Sequence, residues 1–178
     1  MNQQSATNTF SHWDKQGRYI YTLSDLSKLF PNDKPKTLKE GVNRLVKSGL
    51  LTRVGKGTYL YTHSSHSGAN TIEHIAKTLR RGEYNYVSLE SALSEYGAIS
   101  QIPIDHLTVM TTGRKGTYKT PYGTIEFTHT KRAVSDILKN VLDVNRPLRF
   151  AKANAAWRDL KRVGRNLHLV DEKALAHD

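Results

Sequence analysis

Two hydrophobic rhythms share this chain, one returning every three or four residues and the other every second residue. Leu23, Leu26, Leu29 and Phe30 in "TLSDLSKLF" (22–30) keep the helical interval, with Thr22 or Ser24 placed to cap it. "PNDKP" (31–35) then interrupts the backbone, because proline fixes its own φ and has no amide proton to donate. The helical interval resumes at Leu38, Val42, Leu45 and Val46 and predicts a second helix over 36–48, with Gly49 suited to a left-handed termination. "LLTRVGKGTYLY" (50–61) alternates around Gly55 and Gly57 and predicts a hairpin, with Val54 and Leu60 inward and Arg53 and Lys56 near its tip. Gly41 interrupts the second helix at about 1 kcal/mol relative to alanine. It lies beside the apolar stripe, where close helix crossing accounts for it.

"THSSHSGAN" (62–70) contributes nothing to a core and reads as a linker. The linker is set at 63–69, between one unit at 1–62 and a second at 70–178. After it, "NTIEHIAKTLRRG" reads as a helix closed by Gly82. "NYVSLESALSEYG" reads as a short extended piece, then a helix from about Ser88 to Gly97. "HLTVMTTG" (106–113) and "GTIEFTHT" (123–130) are rich in β-branched and aromatic residues and predict two strands. The intervening "RKGTYKTPY" (114–122) reads as a basic loop. Helices are expected over 133–142 and 149–163, the last with Ala153, Ala156, Trp157, Leu160 and Val163 on one face. The fold class is α+β: a small helix-and-hairpin domain, then a mixed α/β domain.

Charge adds a partner to this outline. The 178 residues carry a formal net charge of +11. Residues 1–62 hold ten Lys/Arg against four Asp/Glu, residues 63–130 six against six, and residues 131–178 eleven against six. A neutral middle between basic ends fits polyanion contact, and equally fits solubility alone. No run approaches the roughly 20 apolar residues of a membrane span. "MNQQSATNTF" lacks the basic start and apolar segment of a secretory signal. With no cysteine there is no disulfide, thiolate metal site or thiol nucleophile. A cytoplasmic location is the expectation.

With Leu38, Val42 and Leu45 buried, a 3.6-residue turn puts Lys36, Glu40, Asn43 and Lys47 opposite and Lys39 and Arg44 on the flanks. An α-helix fits the DNA major groove, where Asn and Arg make paired contacts to base edges and Lys meets phosphate. Glu40 fits either a cytosine amine or plain solvation. Glycines at the hairpin tip let the backbone approach phosphate. Helix, break, helix and basic glycine hairpin, in that order, predict a winged helix–turn–helix. Its candidate DNA-binding residues are Lys34, Lys36, Thr37, Lys39, Asn43, Arg44, Lys47, Arg53 and Lys56. An ordinary helix and hairpin with solvated charges is the alternative.

Other chemistry finds little support. Gly55-Lys56 is followed by Gly57, so no phosphate-binding P-loop is present. His63 and His66 sit in the serine-rich linker without a second pair of ligands. No Gly-x-Ser-x-Gly occurs, and Glu90, Glu95, Asp105 and Glu126 are scattered. No catalytic residue, metal site or cofactor is expected.

"YVSLESALSEYGAI…IPIDHLTVMTTGRKGTYKTPYGTIEFTHTKR", together with "RLVKSGLLTRVGKGTY", resembles the AbiEi antitoxin family of type IV toxin–antitoxin systems. The resemblance covers about 40–140, and its most specific piece is Tyr86 through Gly97. It implies an amino-terminal domain that binds inverted repeats in double-stranded promoter DNA and represses its own operon. It implies a carboxy-terminal domain that counters an AbiEii-like nucleotidyltransferase toxin, without requiring a stable complex and without catalysis of its own. Family members often continue past the point where "VDEKALAHD" ends this sequence. Arg114, Lys115 and Lys119 in the basic connection, and Arg158, Lys161, Arg162 and Arg165 in the last helix, are candidates for the antitoxic surface. Solvated loop and helix faces are the plainer reading of those seven. A stand-alone DNA-binding regulator is the alternative function, and a small nucleic-acid enzyme a third.

Overall fold

The computed structural model describes residues 1–100 and 104–176, so the Ile102-Pro103 part of the quoted segment and the last two residues lie outside the described residues. Helices and strands mix throughout, with seven α-helices and two sheets among the described residues. The chain divides into two compact units, Met1–Thr71 and Ile72–Asp178.

The first unit runs α1 (Gln3–Asp14), β1 (Ile20–Thr22), α2 (Leu23–Leu29), α3 (Pro35–Lys47), β2 (Leu51–Gly55) and β3 (Thr58–Tyr61). The spacing over 22–47 and the hairpin emerge with ends shifted by about a residue. Helix α1 and strand β1 carried no signal in the apolar pattern. Asn2 caps α1 by accepting from the Ser5 amide at 2.8 Å, and α1 buries only Ala6, Phe10 and Asp14, spaced four apart. Phe10 fills the centre, its ring 5.1 Å from Tyr21, 6.0 Å from Phe30 and 5.7 Å from Tyr61. Thr22 and Asp25 form a reciprocal capping box at the start of α2. The sheet is antiparallel in the order β1-β3-β2, which puts the fully buried Leu60 of β3 in its middle strand.

Gly41 is explained by a chain end rather than a crossing helix: a β-carbon there would stand 2.7 Å from the terminal methyl of Met1. The amine of Met1 reaches Asp33 at 2.9 Å, which sets this residue against α3.

The serine-rich stretch is held in place. Asp14, at the end of α1, accepts from the Ser64 hydroxyl, from the Ser65 amide at 3.0 Å and from the Ser65 hydroxyl at 2.9 Å. His66 lies 3.4 Å from the same carboxylate and stacks on Tyr19. Burial pushes the Asp14 carboxyl up, but these hydrogen bonds outweigh it and leave it below the usual carboxylate range.

The second unit contains α4 (Thr71–Leu79), whose first residue ends the first unit, then β4 (Asn85–Val87), α5 (Leu89–Glu95), β5 (His106–Thr111), β6 (Gly116–Thr120) and β7 (Gly123–His129). It continues with α6 (Val134–Lys139), β8 (Val141–Leu142), β9 (Arg149–Ala151) and α7 (Ala153–Val163). Two short 3-10 turns follow, at Leu167–Leu169 and Glu172–Leu175. The sheet order is β6-β7-β5-β4-β9-β8, with β5/β7 and β4/β9 parallel and the other pairs antiparallel.

Three expectations are corrected here. The basic connection at 114–122 contains an edge strand, β6, whose Gly116, Tyr118 and Thr120 are half-buried while Thr117 and Lys119 are exposed. Residues 141–142 and 149–151 are strands rather than helix ends, because each finds a neighbour in the sheet. The buried face of α7 includes Asp159, whereas Val163 is exposed and Trp157 only half-buried.

Asp159 stays buried because it has partners. Its Oδ2 accepts from the Tyr86 hydroxyl at 3.0 Å and from the Ser88 hydroxyl at 2.8 Å, and Arg132 lies 3.4 Å from Oδ1. Tyr86 and Ser88 are the opening residues of "YVSLESALSEYG", and Tyr96 of the same stretch donates to the Ala151 carbonyl at 2.8 Å. This stretch therefore serves packing against the last strand and helix. Burial first, then the neighbouring Asp159 charge, pushes the Tyr86 phenol above its ordinary range.

Candidate nucleic-acid interface

Helix α3 presents the predicted residues on one side. Leu38, Val42 and Leu45 are buried, while Lys36, Thr37, Lys39, Glu40, Asn43, Arg44 and Lys47 are exposed. Lys34 occupies the N-cap position and Pro35 the first helical turn, where the missing amide proton has no partner to lose. A guanidinium nitrogen of Arg44 lies 3.7 Å from where a Gly41 β-carbon would stand, so this side chain runs along the helix. The helix closes at Ser48, and Gly49, with φ of +76°, turns the chain into β2.

The hairpin is irregular at its tip. The register shifts between Arg53 and Gly55, and Gly57 has φ of +68°. The Gly57 carbonyl accepts from the Leu23 amide at 2.9 Å, which ties the tip to the start of α2. Lys56 stands exposed there. Arg53 is also exposed but lies along the ribbon, its Nε donating to the Gly55 carbonyl at 3.3 Å. Val54 and Leu60 are buried at 1% and 0% exposure, which fixes which face of the ribbon the charges occupy.

The acids of this unit decide its field. Asp14 serves the 64–66 stretch, Asp25 caps α2 and pairs with Arg18 at 3.0 Å, and Asp33 receives the Met1 amine. Glu40 alone is exposed beside the cations of α3. Among the described residues, none of Lys34, Lys36, Lys39, Arg44, Lys47, Arg53 and Lys56 forms an ion pair. Arg18 is different and belongs to the fold: its guanidinium lies 5.5 Å from the Trp13 ring centre and 5.9 Å from that of Tyr21. Glu40 apart, the exposed charges of α3 and the hairpin are thus positive and outside any ion pair among the described residues.

The seven candidate residues of the second unit fall into two groups. Arg114, Lys115 and Lys119 are exposed beside and along β6. On α7, Lys161 and Arg162 are exposed, with the Lys161 ammonium 5.2 Å from the Trp157 ring centre. Arg158 is half-buried and reaches Asp136 at 3.3 Å. Arg165, past the helix, is committed elsewhere. Its Nε donates to Glu90 at 2.7 Å and another nitrogen to Glu126, while Asn166 also donates to Glu90. Burial pushes the Glu90 carboxyl up, but Arg165 and Asn166 outweigh it and hold it below its usual range. His106 lies 3.3 Å from Glu126, so Arg165 joins a network that fastens the carboxy-terminal turns to α5 and β7.

No protein-family model and no curated protein matches the chain.

Proposed function

We propose that this protein is a DNA-binding autoregulator and antitoxin of the AbiEi kind, acting in the cytoplasm. The Met1–Thr71 unit is read as a winged helix–turn–helix in which α3 enters the major groove and the β2–β3 hairpin tracks the backbone. Asn43 and Arg44 meet base edges; Lys36, Lys39, Lys47 and Lys56 meet phosphates. The supporting observation is that α3 and the hairpin expose these residues without ion pairs among the described residues, while three of the unit's four carboxylates are spent on internal partners. The second unit is read as the part that counters a nucleotidyltransferase-like toxin. Arg114, Lys115, Lys119, Lys161 and Arg162 are the candidate cations best placed for it, being exposed and outside any ion pair among the described residues.

Two measurements test the halves separately. Gel shifts with the chain's own upstream DNA, against a scrambled duplex of equal length, test DNA recognition; equal affinity for both rejects promoter specificity. Co-expression with an adjacent nucleotidyltransferase-like gene, scored for growth, tests the antitoxin. Growth arrest that this protein does not relieve leaves a stand-alone regulator.

Membrane spanning by a helix plays no part in this reading: no helix among the described residues is long and apolar enough to cross a bilayer.

A further inference from the structure

The second unit holds a hollow of about 390 Å³ where α4 ends and the parallel strands β4 and β9 begin. Its wall includes Lys77 and Arg81 from α4 and the turn after it, Arg149 from β9, and Tyr84. Arg80 also lines the wall, but its nitrogens are occupied by the Arg114 and Leu79 carbonyls and the Tyr118 hydroxyl. The one carboxylate of the wall, Glu83, accepts from the Thr112 hydroxyl at 2.6 Å. Among the described residues, Lys77 and Arg149 have no side-chain hydrogen bond or ion pair.

Cations near a helix carboxyl end ordinarily offset its dipole, and that accounts for Lys77. It does not account for Arg149, which comes from strand β9 and lines the same hollow. An anion held there is offered cations from two different elements. The rim is built to stay in place: the Asn85 amide donates to the Arg80 and Glu83 carbonyls at 3.0 Å each, and its oxygen accepts from Thr111 at 2.6 Å. That turn carries Tyr84, 45% exposed, at the edge.

We infer that this hollow binds a mononucleotide, with Lys77 and Arg149 on the phosphate and the Tyr84 ring against the base. The volume exceeds what a lone phosphate needs and falls in the roughly 300–1,000 Å³ range of small-ligand pockets. An exposed aromatic ring offers a base a stacking face. A concave site of this size does not suit a duplex, so the inference is independent of the promoter-binding reading.

The test is calorimetric titration of the full chain with AMP, GMP, CMP, UMP and inorganic phosphate at low salt. At least one nucleotide is expected to saturate and to bind about tenfold or more tighter than phosphate. Lys77→Gln and Arg149→Gln, both exposed positions, are each expected to weaken it about tenfold through loss of a charge-assisted bond, with an unchanged melting temperature. Tyr84→Leu is expected to weaken the nucleotide but not phosphate. If Lys77→Gln alone lowers the melting temperature, Arg149→Gln carries the test. No heat up to the solubility of the nucleotides, or equal affinity for nucleotide and phosphate, overturns the inference. So does a ten-nucleotide single strand that binds tighter than every mononucleotide and is weakened by the same variants.

Discussion

The Tyr86 hydroxyl donates to Oδ2 of Asp159 at 3.0 Å, joining a strand near the middle of the second sheet to the last long helix. Ser88 shares that oxygen, and Arg132 stands by the other. A buried carboxylate with these partners is hard to remove singly. Asp159→Ala is expected to destabilise the second unit by about 3–5 kcal/mol, because it leaves two buried hydroxyls without their acceptor and Arg132 with Asp136 alone. Urea unfolding measures this. A loss under about 1 kcal/mol, the size expected for an exposed position such as Arg162, contradicts the anchoring role.

Asn43→Ala and Arg44→Ala lie on the exposed side of α3, so neither should disturb folding. Each is expected to lose about 1–3 kcal/mol of preference for promoter over scrambled duplex. Competition gel shifts at fixed salt give the ratio directly. Wild-type selectivity in the double variant removes α3 from the groove.

Lys56 tests a different kind of contact. At the hairpin tip it meets phosphate in the proposed complex, so Lys56→Ala should weaken specific and scrambled DNA alike. The slope of log affinity against log salt should fall by about one unit. A slope equal to wild type takes the hairpin off the backbone.

The Asp14 clamp carries a pH signature. Its folded pKa lies below the unfolded value near 3.8, so its contribution is complete above that value and lost as the pH falls through the folded one. Asp14→Asn is expected to be less stable than wild type at pH 7 by about 1–2 kcal/mol, since an amide cannot accept all these hydrogen bonds. Its thermal midpoint should fall less steeply than wild type between pH 5 and pH 3. Parallel curves contradict the clamp. Glu90, also held below its usual range, remains to give the variant some acid sensitivity.

What could be read in the sequence followed the strength of local pattern. Helix α3 shows four apolar residues at helical spacing just after a proline, and its exposed cations follow from geometry alone. Helix α1 shows only Ala6, Phe10 and Asp14 on its inner side, and an aspartate is no hydrophobic signal. Strand β6 was hidden by glycine, lysine and proline, although every second residue does turn inward. Distance along the chain hid the rest. Asp14 meets Ser65 across 51 residues and Arg165 meets Glu90 across 75, so neither the fastened linker nor the committed arginine could be told from a free one. Lys77 and Arg149 share a hollow only because β9 lies beside β4.

Strand β6 forms one rim of the second sheet. An unpaired rim is a template on which another chain can add a strand, the first step toward aggregates. Lys119 projects from β6, and Lys115 immediately precedes it, both exposed. Bringing a second copy alongside would crowd ammonium against ammonium. By charge alone, these two lysines are expected to discourage copies of the protein from pairing edge to edge.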